Sequence, residues 1–491
     1  MMREWPVLRT FGKMLFTGAG IMMLAACSTN PATGERQFTA LMSPSQENQV
    51  GGQENAKVMK TYGVPENSEN LQAYVNQVGQ RVSKDTERPD VQYKFTLLDS
   101  PMVNAFALPG GYVYVTRGLM ALANNEAEFA GVVAHEVGHI TGRHSAERYS
   151  QGVLTSLGAA ALSIALDSSA ASQALGVGSE LYMSSYSRGQ ETQADDLGIR
   201  YLHKSGYDTM AMASFLNSLD RDSQLSNSEK GQSGSGVNYF ATHPKTADRV
   251  SQAMAVAGSY PANQKDLNRN QYLRMLDGMT YGDSEKQGFV RGQTFWHPQM
   301  NFTFTVPAGF GLSNQPTQVV ASSKQTGSVI ILDSVANPQG LDPLTFMTQT
   351  WLQGKPVAGT ERIDINGKPA ATSSIAGTVQ GQPVTIRLVA IQWAPNTIFR
   401  FQMAIPNNVS GSLVEDLKRT TYSLRTMTAQ EKQSIQPLKI KIVTAGPSDS
   451  VTSLSNRMAV TSNKEAHFRV LNGLENNQGL TAGELYKIIV E

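Results

Sequence analysis

The chain has 491 residues, 41 Lys+Arg against 40 Asp+Glu for a net charge of +1, and 40% hydrophobic residues. That balance suits a folded chain of about three domains at ~100–200 residues each and excludes a wholly disordered protein. The near-zero charge leaves no electrostatic footprint for nucleic acid, and the single cysteine excludes an internal disulfide framework or a cysteine-rich metal site.

Arg3, Arg9 and Lys13 form a basic start, followed by the apolar run Met14–Ala26 and then Cys27. This is the layout of a secretory signal, too short for a stable transmembrane helix. Leu24-Ala25-Ala26-Cys27 resembles the lipobox of bacterial lipoproteins. The resemblance implies that residues 1–26 are a signal peptide, that Cys27 carries lipid, and that Ser28 directs the chain to the outer membrane. A periplasmic, lipid-anchored protein is therefore expected. Residues 27–42, polar with Pro and Gly, read as a tether.

From Ser43 to about Thr86 the periodicity is helical, with Val75, Val78, Gly79 and Val82 on one face. Strand-forming runs follow at Tyr93–Leu98 and, after Pro109-Gly110-Gly111, at Tyr112–Val115. Gly111, Tyr112, Val113 and Tyr114 are expected to form an edge strand, with which an extended substrate peptide can pair. A helix opens at Asn125, with Glu128 as capping-box partner, and runs to about Arg143. The apolar stretch Val153–Leu166 is too short to cross a bilayer and reads as a buried helical hairpin. Helices are expected over 180–205 and 209–219, and Ser223–Gly236 reads as a loop rich in Ser, Gly and Gln.

The chemistry lies between 135 and 195. His135-Glu136-Val137-Gly138-His139 places two histidines one helical turn apart on one face, so both imidazoles can reach one metal ion. Glu136 points in a neighbouring direction, placed to take a proton from a water activated by that metal. Imidazole nitrogen suits zinc, one ion per chain, and a catalytic zinc needs a third protein ligand. Glu191 and Asp195, spaced i, i+4, supply it: Glu191 to the metal, Asp195 to the far ring nitrogen of a ligand histidine. His144 is expected to cap the helix C-terminus. His203, His297 and His467 lack partners at ligand spacing and read as structural. Tyr186 and Tyr182 are candidates for stabilising an oxyanion.

Asn104-Ala105-Phe106-Ala107-Leu108-Pro109-Gly110-Gly111, Gly118-Leu119, His135–His139, Tyr186-Ser187-Arg188 leading into Glu191 and Asp195, and Thr242-His243-Pro244 with Arg249 stand in order over residues 43–260. Together they resemble the CAAX-prenyl-endopeptidase (gluzincin) family of zinc metallopeptidases, most closely its soluble periplasmic BepA-like branch. That resemblance implies a zinc metalloendopeptidase that cleaves misfolded or misassembled envelope proteins. It also implies that His243 polarises the scissile carbonyl or occupies the open metal position in a latent form, with Arg249 holding its loop by a salt bridge. Two rival readings are a latent protease acting as a chaperone or scaffold in outer-membrane assembly, and a peptidoglycan-binding lipoprotein.

The fold class expected is α+β throughout. A mainly helical zinc-peptidase domain with a small edge-strand sheet spans 43–282, and an α+β domain spans 290–429. Phe302–Thr428 holds no histidine and no ligand cluster, so no chemistry is assigned to it. Residues 437–491 have a β-α-α-β order that resembles a degenerate LysM module, which implies peptidoglycan as a partner. Gly446-Pro447-Ser448-Asp449-Ser450 departs from that family's turn, and a capping domain is the other reading.

Overall fold

The computed structural model describes residues 28–165, 185–229, 239–244, 248–261, 267–354, 357, 359–379 and 381–491. The expected signal peptide, Cys27 and Tyr182 lie outside the described residues. The chain divides into two units: Met1–Leu98 with Val103–Leu219 and Tyr239–Met275, and Asp99–Met102 with Asp220–Asn238 and Leu276–Glu491.

The first unit opens with a short hairpin, β1 (Ser28–Thr29) and β2 (Arg36–Gln37). This corrects the tether expected over residues 27–42, since Asn30, Gln37 and Met42 are buried. Polar composition misled because those polar groups are satisfied by the protein: Asn30 Nδ2 donates to the Thr141 carbonyl at 3.1 Å and Gln37 Nε2 to the Gly142 carbonyl at 2.7 Å. Helix α1 (Pro44–Tyr62) follows a Ser43–Gln46 capping box with proline in its first turn. Helix α2 (Glu69–Ser83) buries Val75, Val78, Gly79 and Val82.

Strands β3 (Lys94–Leu98), β4 (Ala105–Leu108) and β5 (Tyr112–Thr116) form a sheet in the order β3-β5-β4. β4 and β5 are an antiparallel hairpin, turned by Gly110 and Gly111 at φ 79° and 95°. β3 lies parallel to β5 on its other side. The expectation of an edge strand at Gly111–Tyr114 is thereby corrected: β5 is central, with both backbone edges paired. The hairpin is local and legible; the return of β3 against β5 is a non-local pairing that spacing does not encode. The edge nearer the histidine helix is β4, which packs against that helix and has no strand on its outer side among the described residues.

Helices α3 (Arg117–Leu122), α4 (Glu126–Thr141), α5 (His144–Ala165), α6 (Arg188–Lys204), α7 (Ala211–Glu229), α8 (Tyr239–Thr242), α9 (Arg249–Gly258) and α10 (Arg269–Leu276) follow. α4 is buried over its entire length. It crosses α6 at two glycines: a Cβ on Gly138 would meet the Ala194 carbonyl at 2.9 Å, and one on Gly198 would meet the His135 amide nitrogen at 3.1 Å. The close crossing brings Glu191 opposite the two histidines. Two expectations change here. α5 runs as one helix through residue 165 where a hairpin was expected, and Ser223–Glu229 continues α7 where a loop was expected. Extending an established helix adds a hydrogen bond per residue, which outweighs the weak propensity of Ser and Asn.

In the second unit a seven-stranded antiparallel sheet carries the core. β10 (Gly311–Gln315), β11 (Gln318–Ser322) and β12 (Val329–Ala336) join β16 (Thr397–Pro406), β15 (Gln382–Ala394), β14 (Lys368–Val379) and β13 (Glu361–Ile365) in that spatial order. Before it come β6 (Thr280–Tyr281) and a three-stranded sheet of β7 (Phe289–Arg291), β8 (Thr294–His297) and β9 (Phe302–Thr305). Phe295, Phe302, Phe304, Phe399, Phe401 and Leu417 fill one hydrophobic core. The C-terminal piece has the β-α-α-β order, β17 (Leu438–Thr444) pairing antiparallel with β18 (Leu485–Val490) around its own core. Thr280–Tyr281, placed with the peptidase domain by the sequence reading, pairs instead with Leu438–Lys439. A two-residue strand carries no periodicity by which to find it.

Candidate metal centre

Three segments of the first unit build the site. On α4 the N-cap Asn125 accepts a hydrogen bond from the Glu128 amide at 2.8 Å, and Glu128 accepts one from the Asn124 amide at 2.8 Å. That helix carries His135, Glu136 and His139. On α6, a reciprocal Ser187–Gln190 capping box sets Glu191 in the first turn and Asp195 one turn on. His243 follows α8 and Arg249 opens α9. His135, Glu136, His139, Glu191 and His243 are each at most 1% exposed.

Potential ligand atoms of His135, His139, Glu191 and His243 all lie within 4.8 Å of one another. His135 Nε2 and His139 Nε2 are 3.0 Å apart, Glu191 Oε1 is 3.4 Å from His139 Nε2, and Glu191 Oε2 is 3.7 Å from His135 Nε2. Two nitrogens bound tetrahedrally at ~2.05 Å stand roughly 3.3 Å apart, so this donor set fits one small divalent cation. His243 Nδ1 joins the group, 3.0 Å from Glu191 Oε1 and 3.4 Å from His135 Nε2. His243 Nε2 lies 3.5 Å from Glu136 Oε1. Neither Glu136 oxygen nor His243 Nε2 makes a hydrogen bond to any of the described residues. A buried carboxylate without a hydrogen bond costs stability, which points to a group kept for chemistry.

The surroundings push the acids apart. Burial raises the Glu136 carboxyl above the ordinary range. Burial acts the same way on Glu191 and Asp195 but is outweighed there. His243 and His139 hold Glu191 well below its usual value, and Arg249 and His135 hold Asp195 low. One acid ready to carry a proton beside two that stay ionised is the division of labour that general acid–base chemistry uses. Arg249 ties the ionised pair together, Nε and Nη2 each 2.8 Å from an Asp195 oxygen and Nη1 2.6 Å from Glu191 Oε2. Asp195 Oδ1 also lies 2.8 Å from His135 Nδ1, the ring nitrogen away from the cluster.

His144 is not a helix cap. It starts α5, and its Nδ1 lies 2.8 Å from His139 Nδ1, with Nε2 3.0 Å from Gln193 Oε1. Arg143, in the left-handed region at φ 53°, makes the turn that swings His144 back onto His139. A left-handed arginine leaves no mark in the sequence, so spacing alone missed this partner. Two aromatic rings wall the site, Tyr186, a candidate in the sequence, and Tyr239, which the sequence did not single out. Tyr186 stacks on His139 at 3.7 Å between centroids, with the Arg148 guanidinium 3.7 Å over the same tyrosine ring. Tyr239 stacks on His243 at 4.3 Å. Tyr112, Val113 and Tyr114 lie on β5, where Tyr114 donates to Asn55 Oδ1 at 2.7 Å.

Residues 69–257 match the model for peptidase family M48. The matched segment spans α2 to α9 and contains every residue of the cluster. The beta-barrel assembly-enhancing protease of Yersinia pestis is 29% identical over 241 residues, 44% of this chain and 49% of that protein. A putative beta-barrel assembly-enhancing protease of Vibrio cholerae serotype O1 is 32% identical over 200 residues, 39% of this chain and 40% of that one. The mitochondrial metalloendopeptidase OMA1 of Schizosaccharomyces pombe is 27% identical over 240 residues, 48% of this chain and 68% of it. The chain spans half or less of the length of the two bacterial relatives. The family match and the metalloendopeptidase relatives support metallopeptidase activity for this segment.

Proposed function

We propose that the chain is a zinc metalloendopeptidase of the bacterial envelope, anchored through lipid on Cys27, that cleaves misfolded or misassembled envelope proteins. The observation that carries the reading is the buried His135–His139–Glu191 donor set with the Glu136 carboxyl, free of hydrogen bonds to the described residues, beside it. When bound there, zinc supplies a Lewis acid and brings the pKa of water near 7. Glu136 takes the proton of the attacking water and delivers it to the departing amine, a task suited to its raised pKa. Asp195 and His144 hold the ring nitrogens away from the cluster, and Arg249 orients Glu191 and Asp195 together. The outer edge of β4, unpaired by any strand among the described residues but buried in this state, is where an extended peptide would pair once the site opens. The bacterial relatives are named for β-barrel assembly, which favours unfolded outer-membrane chains as substrates.

A closed state is the second reading, favoured by the position of His243. With His243 Nδ1 among the donors, the set numbers four side chains, as in closed structural sites; a catalytic site keeps one position open. The His243 loop then has to swing aside before a peptide enters. The zinc-loaded chain is expected to cut a urea-unfolded β-barrel protein and spare its folded form. Equal cleavage of both forms contradicts the substrate class; cleavage of neither by the zinc-loaded chain favours the closed state.

A further inference from the structure

The hairpin that replaces the expected tether makes four hydrogen-bonded links to the elements carrying the metal ligands, one of them from Arg200 Nη1 on α6 to the Ala32 carbonyl at 3.0 Å. Asn30 and Gln37, both buried, donate to the carbonyls of Thr141 and Gly142, where α4 ends just beyond His139. Carbonyls at a helix C-terminus have no partner within the helix, and side-chain donors fix that end in place. The third link runs through side chains: His139 Nδ1 to His144 Nδ1 at 2.8 Å, His144 Nε2 to Gln193 Oε1 at 3.0 Å, and Gln193 Nε2 to a Glu35 carboxylate oxygen in the hairpin turn.

The direction of the chain of bonds follows from the site. If His139 offers the Nε2 lone pair to a metal, its proton sits on Nδ1 and is donated to His144 Nδ1. His144 then carries its own proton on Nε2 and donates it to Gln193 Oε1. That turns the Gln193 amide so its NH2 faces Glu35, an acceptor. Each group has one role, and the series ends on a carboxylate, the acceptor that commonly backs a metal-bound imidazole.

We propose that the hairpin Ser28–Gln37 is a working part of the metal centre, orienting His139 through Glu35, Gln193 and His144 and pinning the end of its helix through Asn30 and Gln37. The inference rests on the reading of His135, His139 and Glu191 as zinc ligands. Its consequence is that the segment immediately after Cys27 is joined to the active site by hydrogen bonds. Glu35, Gln193, His144, Asn30 and Gln37 act as positioning residues.

The test measures zinc affinity by competition with a chelating dye, alongside thermal unfolding, on the chain from residue 27 to 491. His144→Leu removes the two bonds that His144 makes in the relay, to His139 and to Gln193. His144→Gln keeps them in principle, its amide oxygen accepting from His139 and its NH2 donating to Gln193. The expected result is about 10–100-fold weaker zinc binding for His144→Leu, substantial recovery in His144→Gln, and a smaller loss in Glu35→Ala. The Asn30→Ala, Gln37→Ala double variant, which keeps every side chain of the relay but releases the end of α4, is expected to weaken zinc binding. Wild-type affinity in both His144→Leu and the double variant overturns the inference and leaves the ligand reading standing. A folded wild-type chain that holds no zinc overturns the ligand reading itself, and the relay with it.

Discussion

Replacing Arg249 with methionine tests the electrostatic frame of the site. The guanidinium is 3% exposed and lies 2.6 to 2.8 Å from three carboxylate oxygens on Glu191 and Asp195. Methionine keeps much of the stem volume and leaves two buried carboxylates without their cation. Breaking one partner out of a buried pair costs roughly 3–5 kcal/mol, because the remaining charge stays desolvated. For a unit of this size each kcal/mol moves the midpoint by roughly 2–4 °C, so a fall of roughly 6–20 °C is expected at pH 7. The sign of the pH dependence follows from Asp195, whose folded pKa is depressed. Its stabilising contribution is complete above the ordinary carboxylate value and is lost as pH falls from there through the depressed folded value. In Arg249→Met that contribution is gone, and protonation relieves the stranded charges, so the difference from wild type is largest at neutral pH and shrinks in acid. The assay is thermal and urea unfolding of the zinc-free chain between pH 8 and pH 4. A change under about 0.5 kcal/mol, the size of an ordinary surface substitution, or a deficit that grows in acid, refutes the account.

Gly138→Ala pushes a methyl group against the Ala194 carbonyl at the crossing of α4 and α6. Overpacking of this kind costs about 1–3 kcal/mol, and zinc affinity, read by chelator competition, is expected to fall with it because Glu191 is carried away from the histidines. His243→Ala is expected to raise the rate of peptide cleavage if the closed state limits turnover; a large fall assigns His243 to the reaction, and steady-state kinetics on one unfolded substrate separates the two. In the second unit, burial depresses the His297 imidazole to about 4. The unfolded chain therefore binds this proton more readily between about pH 4 and 6.5, so stability falls as pH falls through that window, by up to roughly 3 kcal/mol. His297→Phe is expected to flatten that limb in urea titrations; an unchanged slope counts against it.

The sequence exposed those parts of the site that follow from the period of one helix. His135, Glu136 and His139 share α4, Glu191 and Asp195 share α6, and Asn125 with Glu128 marks where α4 begins. Spacing of 3.6 residues per turn is enough to predict such neighbours. What it could not reach depends on contacts between distant segments or on special backbone. The central place of β5 needs β3 to return beside it; the role of His144 needs Arg143 in the left-handed region. The hairpin at Ser28–Gln37 looked like a tether because Asn and Gln are read as solvated, whereas here they cap the end of α4. His243 and Arg249 came from a family resemblance rather than from periodicity, and the structure brings both to the cluster.

The measurement that bears most directly on the central claim pairs zinc content with cleavage of an unfolded β-barrel protein, in wild type and Glu136→Gln. Glu136 has no hydrogen-bond partner among the described residues and is not needed to complete the donor set, so its amide should leave the fold and the metal undisturbed. The account predicts close to one zinc per chain in both proteins and cleavage in wild type alone. Cleavage that survives in Glu136→Gln, or a folded wild-type chain without zinc, contradicts it.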